Sequence, residues 1–286
     1  MKLGVICDGI SRDLGHALNV MEAFGIGHAE LQFVGDTEVG DHSPERIAEI
    51  GRTLADRGVP VACLSRHVFA GTTAANRPGD ALHTEHMEAL RRVIGMAHAL
   101  RCPLVRIMTP RKEQILWGHG GAEVWNVAKG AWDSMLPLIA PAVDLARAEG
   151  LTLVVETGNG TMVNSAWTAR RLIDDLDAKD ALKVLWDPAN ALWCHEDPME
   201  ALGTLAGGYL GHVHVKDVTV DTPRATLTVE PMGEGQLAPA FAPMAEALRA
   251  EGYGGVVSME SVHRPEGGSF EDGFRLWAGR FVETFG

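Results

Sequence analysis

The feature that most constrains the fold is an eightfold alternation between short apolar runs and longer amphipathic segments. The apolar runs are rich in Val, Ile and Leu, which is typical of parallel strands buried on both faces, and a segment with helical periodicity follows each run. The predicted strands cover residues 3–9, 28–34, 59–65, 103–109, 151–157, 182–188, 210–217 and 254–260. The predicted helices lie near 14–25, 43–58, 83–100, 133–149, 166–177, after 197, 237–251 and 270–284.

This alternation predicts an α/β protein with a (β/α)8 TIM barrel that forms one domain over residues 1–286. Eight strand–helix units fit such a barrel, which typically uses about 250 residues. A doubly wound open sheet is the main alternative. It usually has fewer units, and the dinucleotide-binding motif G-x-G-x-x-G is missing after the first strand. The Gly25-Ile26-Gly27 segment precedes a strand instead of joining a strand to a helix.

The charge, the apolar runs and the cysteines of the chain predict its partners, its location and the redox state of its thiols. The formal net charge is −13, from 25 basic and 38 acidic residues, which argues against a broad nucleic-acid or membrane-binding surface. Asp8 and Arg12 come too early for a secretory signal peptide, and no run of about 18 apolar residues is present. We therefore expect a cytoplasmic protein without nucleic-acid or membrane partners. Its four scattered cysteines are expected to be reduced: Cys7, Cys63, Cys102 and Cys194.

Polar side chains end the last four predicted strands. These strands finish in Glu156, in Asp187, in a segment that carries His212, His214 and Lys216, and in Glu260. Because the carboxyl ends of barrel strands meet at one mouth, these groups are expected to converge there. Three carboxylates and an imidazole would repel or desolvate one another unless a cation lay between them. One divalent ion is therefore predicted, Mn²⁺, Mg²⁺ or Co²⁺ by its oxygen-rich ligand set, with Zn²⁺ also compatible.

Each of these residues also has a purely structural explanation when it is taken alone. A glutamate at a strand end often forms a salt bridge or caps a helix, and Asp187 before Pro188 can organise a turn. A histidine on a strand is usually a hydrogen-bonded core residue. The occurrence of all four on consecutive strands favours a functional site, because clusters of titratable groups mark such sites.

Several segments around these residues carry a family resemblance. They are VVETGNG (154–160), VLWDPAN (184–190), GHVHVKDV (211–218), PMGEGQL (231–237) and EGYGGVVSMES (251–261). In these segments the chain resembles the xylose-isomerase-like TIM-barrel superfamily. Within it, the chain is most similar to the sugar (phosphate) isomerase/epimerase branch, which includes ketose 3-epimerases and hydroxypyruvate isomerase. The resemblance extends over essentially the whole chain.

The resemblance implies a metal-dependent isomerase or epimerase that acts on a sugar, sugar phosphate or sugar acid through an enediolate. Its metal ligands would be Glu156, Asp187, His214 and Glu260. Glu156 and Glu260 would also be the catalytic acid and base. Three positions depart from the ketose 3-epimerase pattern: Asn190 replaces a His, Val220 replaces an Arg and Met162 replaces a Glu. These differences argue against a plain free-ketose 3-epimerase.

A second set of residues is predicted to bind the substrate. It comprises Lys216, Asn190, His67, Arg106, His263 and Trp117. For Lys216, a salt bridge that lines the barrel is the alternative. Trp117 belongs to a long loop, 109–132, which is typical of a lid or an oligomer contact, and we expect a homo-oligomer, a dimer or a tetramer.

Other functions use the same kind of site. A metal-dependent lyase, dehydratase or hydrolase that acts on a keto-sugar or cyclitol is the main alternative to an isomerase. A nuclease of the endonuclease IV type would require more histidines and a basic groove. A non-catalytic sugar-binding barrel would not require the complete set of acidic and imidazole side chains.

Overall fold

Parallel strands close into a barrel in the computed structural model, which describes residues 1–112 and 130–286. Pairing between the first and last strands, with Lys2 beside Val256, completes the ring. In chain order the strands are β1 (Lys2–Ile6), β2 (His28–Leu31), β3 (Phe33–Val34), β4 (Thr37–Glu38), β5 (Val61–Val68), β6 (Leu104–Ile107), β7 (Thr152–Glu156), β8 (Leu182–Trp186), β9 (Leu210–Val215), β10 (Asp217–Asp221), β11 (Thr226–Glu230) and β12 (Val256–Met259).

The barrel itself has the neighbour order β1-β12-β9-β8-β7-β6-β5-β2 and uses eight of these strands. Every pair of neighbours within it is parallel, as crossover helices require. The predicted (β/α)8 barrel is thereby confirmed. β3 with β4, and β10 with β11, form separate antiparallel hairpins.

Helices follow the barrel strands in the described part of the chain. They are α1 (Leu14–Ala23), α2 (Pro44–Asp56), α3 (Ala81–Leu100), α4 (Ala131–Glu149), α5 (Ala166–Asp175), α6 (Pro188–Ala191), α7 (Pro198–Leu205), α8 (Phe241–Ala250) and α9 (Phe270–Phe285). Short 3-10 turns occupy Cys7–Gly9, Leu192–Cys194, Thr222–Arg224 and Ala238–Ala240. No helix within residues 1–112 and 130–286 is long and apolar enough to cross a membrane.

Local sequence signals explain where several helices begin. Ser43 accepts a hydrogen bond from the backbone N–H of Arg46, and Pro44 occupies the first turn of α2. Ser165 and Thr168 form a reciprocal capping box at α5. These caps satisfy backbone donors that the first helical turn leaves unpaired, so the strand-to-helix turns are fixed locally.

The apolar core has two parts because side chains alternate along the strands. The larger part fills the space between the barrel and its helices. A small separate cluster of Cys63, Val154 and Leu185, with Leu104 against it, comes from the opposite face of the same strands. This cluster forms an apolar floor inside the barrel, and polar side chains take over nearer the carboxyl ends.

The first hairpin differs from the sequence prediction, which continued one strand from 28 to 34. The barrel strand ends at Leu31, and Phe33 begins a hairpin whose two-residue turn is Gly35-Asp36. Gly35 has a φ of +63°, a left-handed conformation that favours glycine. The Asp8 carboxylate accepts a hydrogen bond from the backbone N–H of Phe33 at 3.3 Å and so fixes the start of the hairpin.

Asp217 anchors the second hairpin to the segment 231–237. Its fully buried carboxylate accepts four backbone hydrogen bonds, from Val218, Gly233, Gly235 and Leu237, at 2.8–3.0 Å. A side chain at Gly235 would collide with this carboxylate. The close contact between the segment 231–237 and the Asp217 carboxylate therefore explains both Gly235 and Asp217.

Candidate metal centre

Four side chains from neighbouring strands converge at the carboxyl end of the barrel. Glu156 ends β7, Asp187 caps α6, His214 lies on β9 and Glu260 follows β12. Each offers one ligand atom, and the four atoms lie within 4.8 Å of one another. The structure thus brings together the four residues predicted as ligands, and their role in binding a metal stays a prediction.

The orientation of His214 suits a cation. Its ring is fully buried, and its Nδ1 atom has no hydrogen-bond partner in the described part of the chain. Nδ1 lies 3.9 Å from Oε1 of Glu156 and 3.6 Å from Oε2 of Glu260. A buried imidazole nitrogen aimed at two carboxylates completes an O,O,O,N donor set, and this set fits a divalent cation such as Mn²⁺ or Mg²⁺.

Asp187 is held by the backbone on one side and by side chains on the other. Its Oδ1 accepts the backbone N–H groups of Ala189 and Asn190 at 3.0 and 3.2 Å. Its Oδ2 accepts from Lys216 Nζ at 2.6 Å and from the Asn190 amide at 2.9 Å. Burial raises the pKa of Asp187 to about 6, although the ammonium of Lys216 opposes this shift.

Lys216 forms the salt bridges that were the alternative to substrate binding. Its Nζ atom lies 2.6 Å from Oδ2 of Asp187 and 2.6 Å from Oε2 of Glu260. Burial alone would lower the pKa of Lys216, but these two carboxylates outweigh it and raise the pKa overall. Lys216 therefore carries its charge inside the site.

Arg106 pairs with the other predicted catalytic glutamate. Its Nη1 donates to Oε2 of Glu156 at 2.9 Å, and its Nη2 donates to the backbone carbonyl of Ser65 at 2.8 Å. Both side chains of the ion pair are almost completely buried, at 4% and 6% exposure. The Asn190 amide donates to the second oxygen of Glu156 at 3.2 Å. Both oxygens of Glu156 are therefore engaged.

Glu30 is a residue at this site that the sequence analysis missed. It lies fully buried on β2 and accepts hydrogen bonds at 2.8 Å from Nε2 of His212 and of His214. The hydroxyl of Ser65 donates to the same carboxylate. Burial would raise the pKa of Glu30, but the two histidines hold it well below its usual range. The available signal was a carboxylate inside the apolar run HAELQFV (28–34).

The remaining predicted substrate-binding residues are dispersed. His67 has an exposed side chain near the end of β5 and lies beside the first hairpin, where its Nδ1 donates to Glu38 at 2.9 Å. His263 turns to the second hairpin and donates to the backbone carbonyl of Val229 at 2.9 Å, so the structure does not join it to the four converging side chains. Trp117 lies outside the described residues, as does most of the loop 109–132.

Comparison with known proteins agrees with this fold. A comparison with curated protein sequences finds no significant match. The structure is similar to the IolI protein solved with a zinc atom (19% identity, TM-score 0.73, covering 100% of this chain and 95% of that one). It is also similar to D-psicose 3-epimerase with D-tagatose from Clostridium cellulolyticum H10 (17%, 0.71, 100% and 98%). A third similar structure is the probable 3-DHS dehydratase AsbF from Bacillus anthracis (13%, 0.72, 96% and 98%).

The sequence-family model for the xylose isomerase-like TIM barrel matches residues 18–279. This range includes all four converging side chains and Glu30. The match covers most of the chain, and the closed barrel supplies the fold that the family requires. The chain belongs to the xylose isomerase-like TIM barrel family.

Proposed function

We propose that this protein is a divalent-metal-dependent isomerase or epimerase of a sugar, sugar phosphate or sugar acid. The observation that carries the proposal is the buried convergence of Glu156, Asp187, His214 and Glu260 at the carboxyl end of the barrel. The likeness to a D-psicose 3-epimerase supports this class of reaction, and the likeness to an IolI protein with a bound zinc atom supports a metal site.

The four converging side chains would hold the cation. When bound, the cation supplies Lewis-acid polarisation of a carbonyl group and a template for two neighbouring oxygens. Side chains of the protein would carry out the proton transfers, because a carboxylate placed beside the substrate can take a proton from the carbon next to the carbonyl.

Glu260 is the better placed of the two glutamates to remove the first proton. Its contacts with Lys216 and His214 both fall on Oε2, and no hydrogen bond among the described residues engages Oε1. Its side chain is 20% exposed, against 6% for Glu156. Glu260 therefore keeps one oxygen free of hydrogen bonds among the described residues, and this oxygen would contact the substrate.

Glu156 would deliver a proton to the intermediate, one that it has first taken from solvent, because the proton removed from carbon stays on Glu260. Arg106 and Asn190 hold both of its oxygens, so its position is fixed while the substrate changes. Delivery of the proton to the opposite face of the same carbon gives epimerisation. Delivery to the neighbouring carbon, together with a shift of a hydroxyl proton, gives isomerisation.

Lys216 would stabilise negative charge on the substrate oxygen. An ammonium group has three N–H donors, and Asp187 and Glu260 accept two of them. The third donor can reach a substrate oxygen that gains charge as the proton leaves carbon. A positive charge that is already in place stabilises developing negative charge more strongly in a buried site than in water.

A dehydratase is the second candidate, and the same lysine favours it. Lys216 places a proton donor 2.6 Å from the proposed base, Glu260, so that one group can protonate a departing hydroxyl while the other takes the proton from carbon. The likeness to a probable 3-DHS dehydratase agrees with this alternative.

The test is to incubate the purified protein and Mn²⁺ in D₂O with a panel of ketoses, ketose phosphates and sugar acids. An isomerase or epimerase incorporates deuterium at carbon and keeps the elements of water, whereas a dehydratase loses one water, and NMR with mass spectrometry separates the two. We expect Glu260→Gln and Glu156→Gln to stop deuterium incorporation. The matched control is Glu266→Gln, which changes an exposed loop carboxylate. Native rates of incorporation in both glutamate variants would exclude this mechanism.

A further inference from the structure

We infer that Glu30 is a positioning residue that holds His214 with its proton on Nε2 and so presents Nδ1 to the cation, an inference that rests on the cation site proposed above. Glu30 lies on β2 and contacts Nε2 of His214, whereas Nδ1 of the same ring is the nitrogen near the carboxylates of Glu156 and Glu260. It touches none of the proposed ligand carboxylates through a hydrogen bond in the described part of the chain. Its contact with the proposed cation site therefore runs through His214.

The hydrogen bonds to Glu30 indicate which nitrogen of each imidazole carries a proton. Three donors meet on the Glu30 carboxylate: Ser65 Oγ, His212 Nε2 and His214 Nε2, the two nitrogens at 2.8 Å. An ionised carboxylate only accepts, so each imidazole must carry a hydrogen on Nε2. A neutral imidazole with its hydrogen on Nε2 has its lone pair on Nδ1. In His214 this is the atom that faces Glu156 and Glu260 without a hydrogen-bond partner.

This arrangement has a known physical effect on metal ligands. A carboxylate that accepts the second N–H of a ligating histidine fixes the ring orientation and makes the other nitrogen a stronger donor. Loss of such a partner typically weakens metal binding by about 10-fold to 100-fold. Glu30 is suited to this role because it is fully buried and accepts three hydrogen bonds, so its position is determined.

His212 provides an internal comparison. It makes the same 2.8 Å hydrogen bond to Glu30, and its ring lies edge-on to that of His214 with centroids 5.5 Å apart. It is not among the four side chains that converge on the proposed cation site. A change at His212 therefore disturbs the same buried cluster without removing the hydrogen bond between Glu30 and His214.

The first experiment measures Mn²⁺ binding by titration calorimetry. Glu30→Gln keeps the size of the side chain but removes its charge and one acceptor, and we expect Mn²⁺ affinity to fall by about 10-fold to 100-fold. The matched control is His212→Gln, whose amide can still donate to Glu30, and we expect it to bind Mn²⁺ as the wild type does. Equal affinity in Glu30→Gln and wild type, or an equal loss in both variants, would overturn the inference.

The second experiment needs no variant at Glu30 and so remains informative if Glu30→Gln does not fold. The wild-type protein is labelled with ¹⁵N-histidine and loaded with Zn²⁺, and NMR reports which nitrogen of His214 binds zinc. We expect zinc at Nδ1, hydrogen on Nε2 and one zinc per chain. Zinc at Nε2, or a second zinc held by Glu30 and His212, contradicts the inference.

The two proposals fail in different ways. A wild-type chain that binds no divalent cation refutes both the metal-dependent function and the role of Glu30. A wild-type chain that binds Mn²⁺ and incorporates deuterium into a substrate, while Glu30→Gln binds Mn²⁺ unchanged, refutes only the role of Glu30.

Discussion

The carboxylate of Asp217 offers the most direct test of how the chain builds the rim of its site. This residue follows Lys216, and it is fully buried. Its Oδ1 accepts the backbone N–H groups of Val218 and Leu237, each at 3.0 Å. Its Oδ2 accepts those of Gly233 and Gly235 at 2.8 and 2.9 Å. One side chain thus binds the start of β10 to the segment 231–237.

The informative change is Asp217→Asn, which keeps the shape of the side chain. Its amide nitrogen replaces one of the two oxygens, so two backbone N–H groups face a donor in either orientation of the amide. A buried donor without an acceptor costs about 1–3 kcal/mol, so we expect a loss of about 2–6 kcal/mol in the free energy of unfolding.

Urea unfolding followed by circular dichroism measures this loss, and hydrogen exchange locates it. We expect faster amide exchange at Gly233, Gly235 and Leu237, since these donors lose their acceptor. The control is Asp221→Asn at the partly exposed end of the same strand. Its carboxylate accepts the backbone N–H and the exposed guanidinium of Arg224 within a short turn, so this change is expected to cost at most about 1 kcal/mol. Equal stabilities for the two variants, with unchanged exchange in the segment 231–237, would refute the reasoning.

Two further predictions concern the barrel interior. Arg106→Met removes the buried partner of Glu156, and breaking such a pair costs about 3–5 kcal/mol. Because a cation at the proposed site would replace the lost positive charge, we expect the melting temperature to fall more in EDTA than with Mn²⁺. An equal fall in both would contradict a shared site for the cation and Glu156. Burial raises the pKa of Cys102 to about 12, so this thiol stays protonated at pH 8. Because Cys194 alone among the four thiols is partly exposed, a disulfide reagent should label one cysteine in the native protein and none in Cys194→Ser; labelling of a second thiol would show that the interior is open.

The barrel and the four converging side chains could be predicted because their signals are local. Each strand shows an apolar run, and each of Glu156, Asp187 and Glu260 interrupts or ends such a run next to a turn. Barrel geometry then brings the carboxyl ends of the strands to one mouth, whatever the sequence separation. No pairwise contact had to be known in advance to expect these groups together.

The role of Glu30 could not be predicted in the same way. Its partners His212 and His214 lie more than 180 residues away in the chain, on a strand that approaches it only across the closed barrel. Within its own segment, HAELQFV, the glutamate resembles any polar residue of an amphipathic strand. The contact depends on barrel closure and on which face of β2 points inward, and these are properties of the assembled fold.

The two hairpins were missed for a different reason, because a strict strand–helix alternation does not include them. The Gly35-Asp36 pair is a two-residue hairpin turn, but the apolar run 28–34 before it predicts one continuous strand. The strand–helix alternation predicts no element between residues 217 and 237, where β10 and β11 lie as partly exposed strands on either side of a turn at Thr222–Arg224.

The buried ion pairs of the site bear on whether the chain folds before or after it binds a metal ion. Arg106 pairs with Glu156, and Lys216 pairs with Asp187 and Glu260. The carboxylates find positive partners within the polypeptide itself. We therefore expect this barrel to fold without an ion, in contrast to small zinc domains that are unfolded without metal. We expect the chain to complete its fold first and to bind the proposed ion afterwards. That ion would then reflect which divalent metal the surroundings offer to a finished barrel.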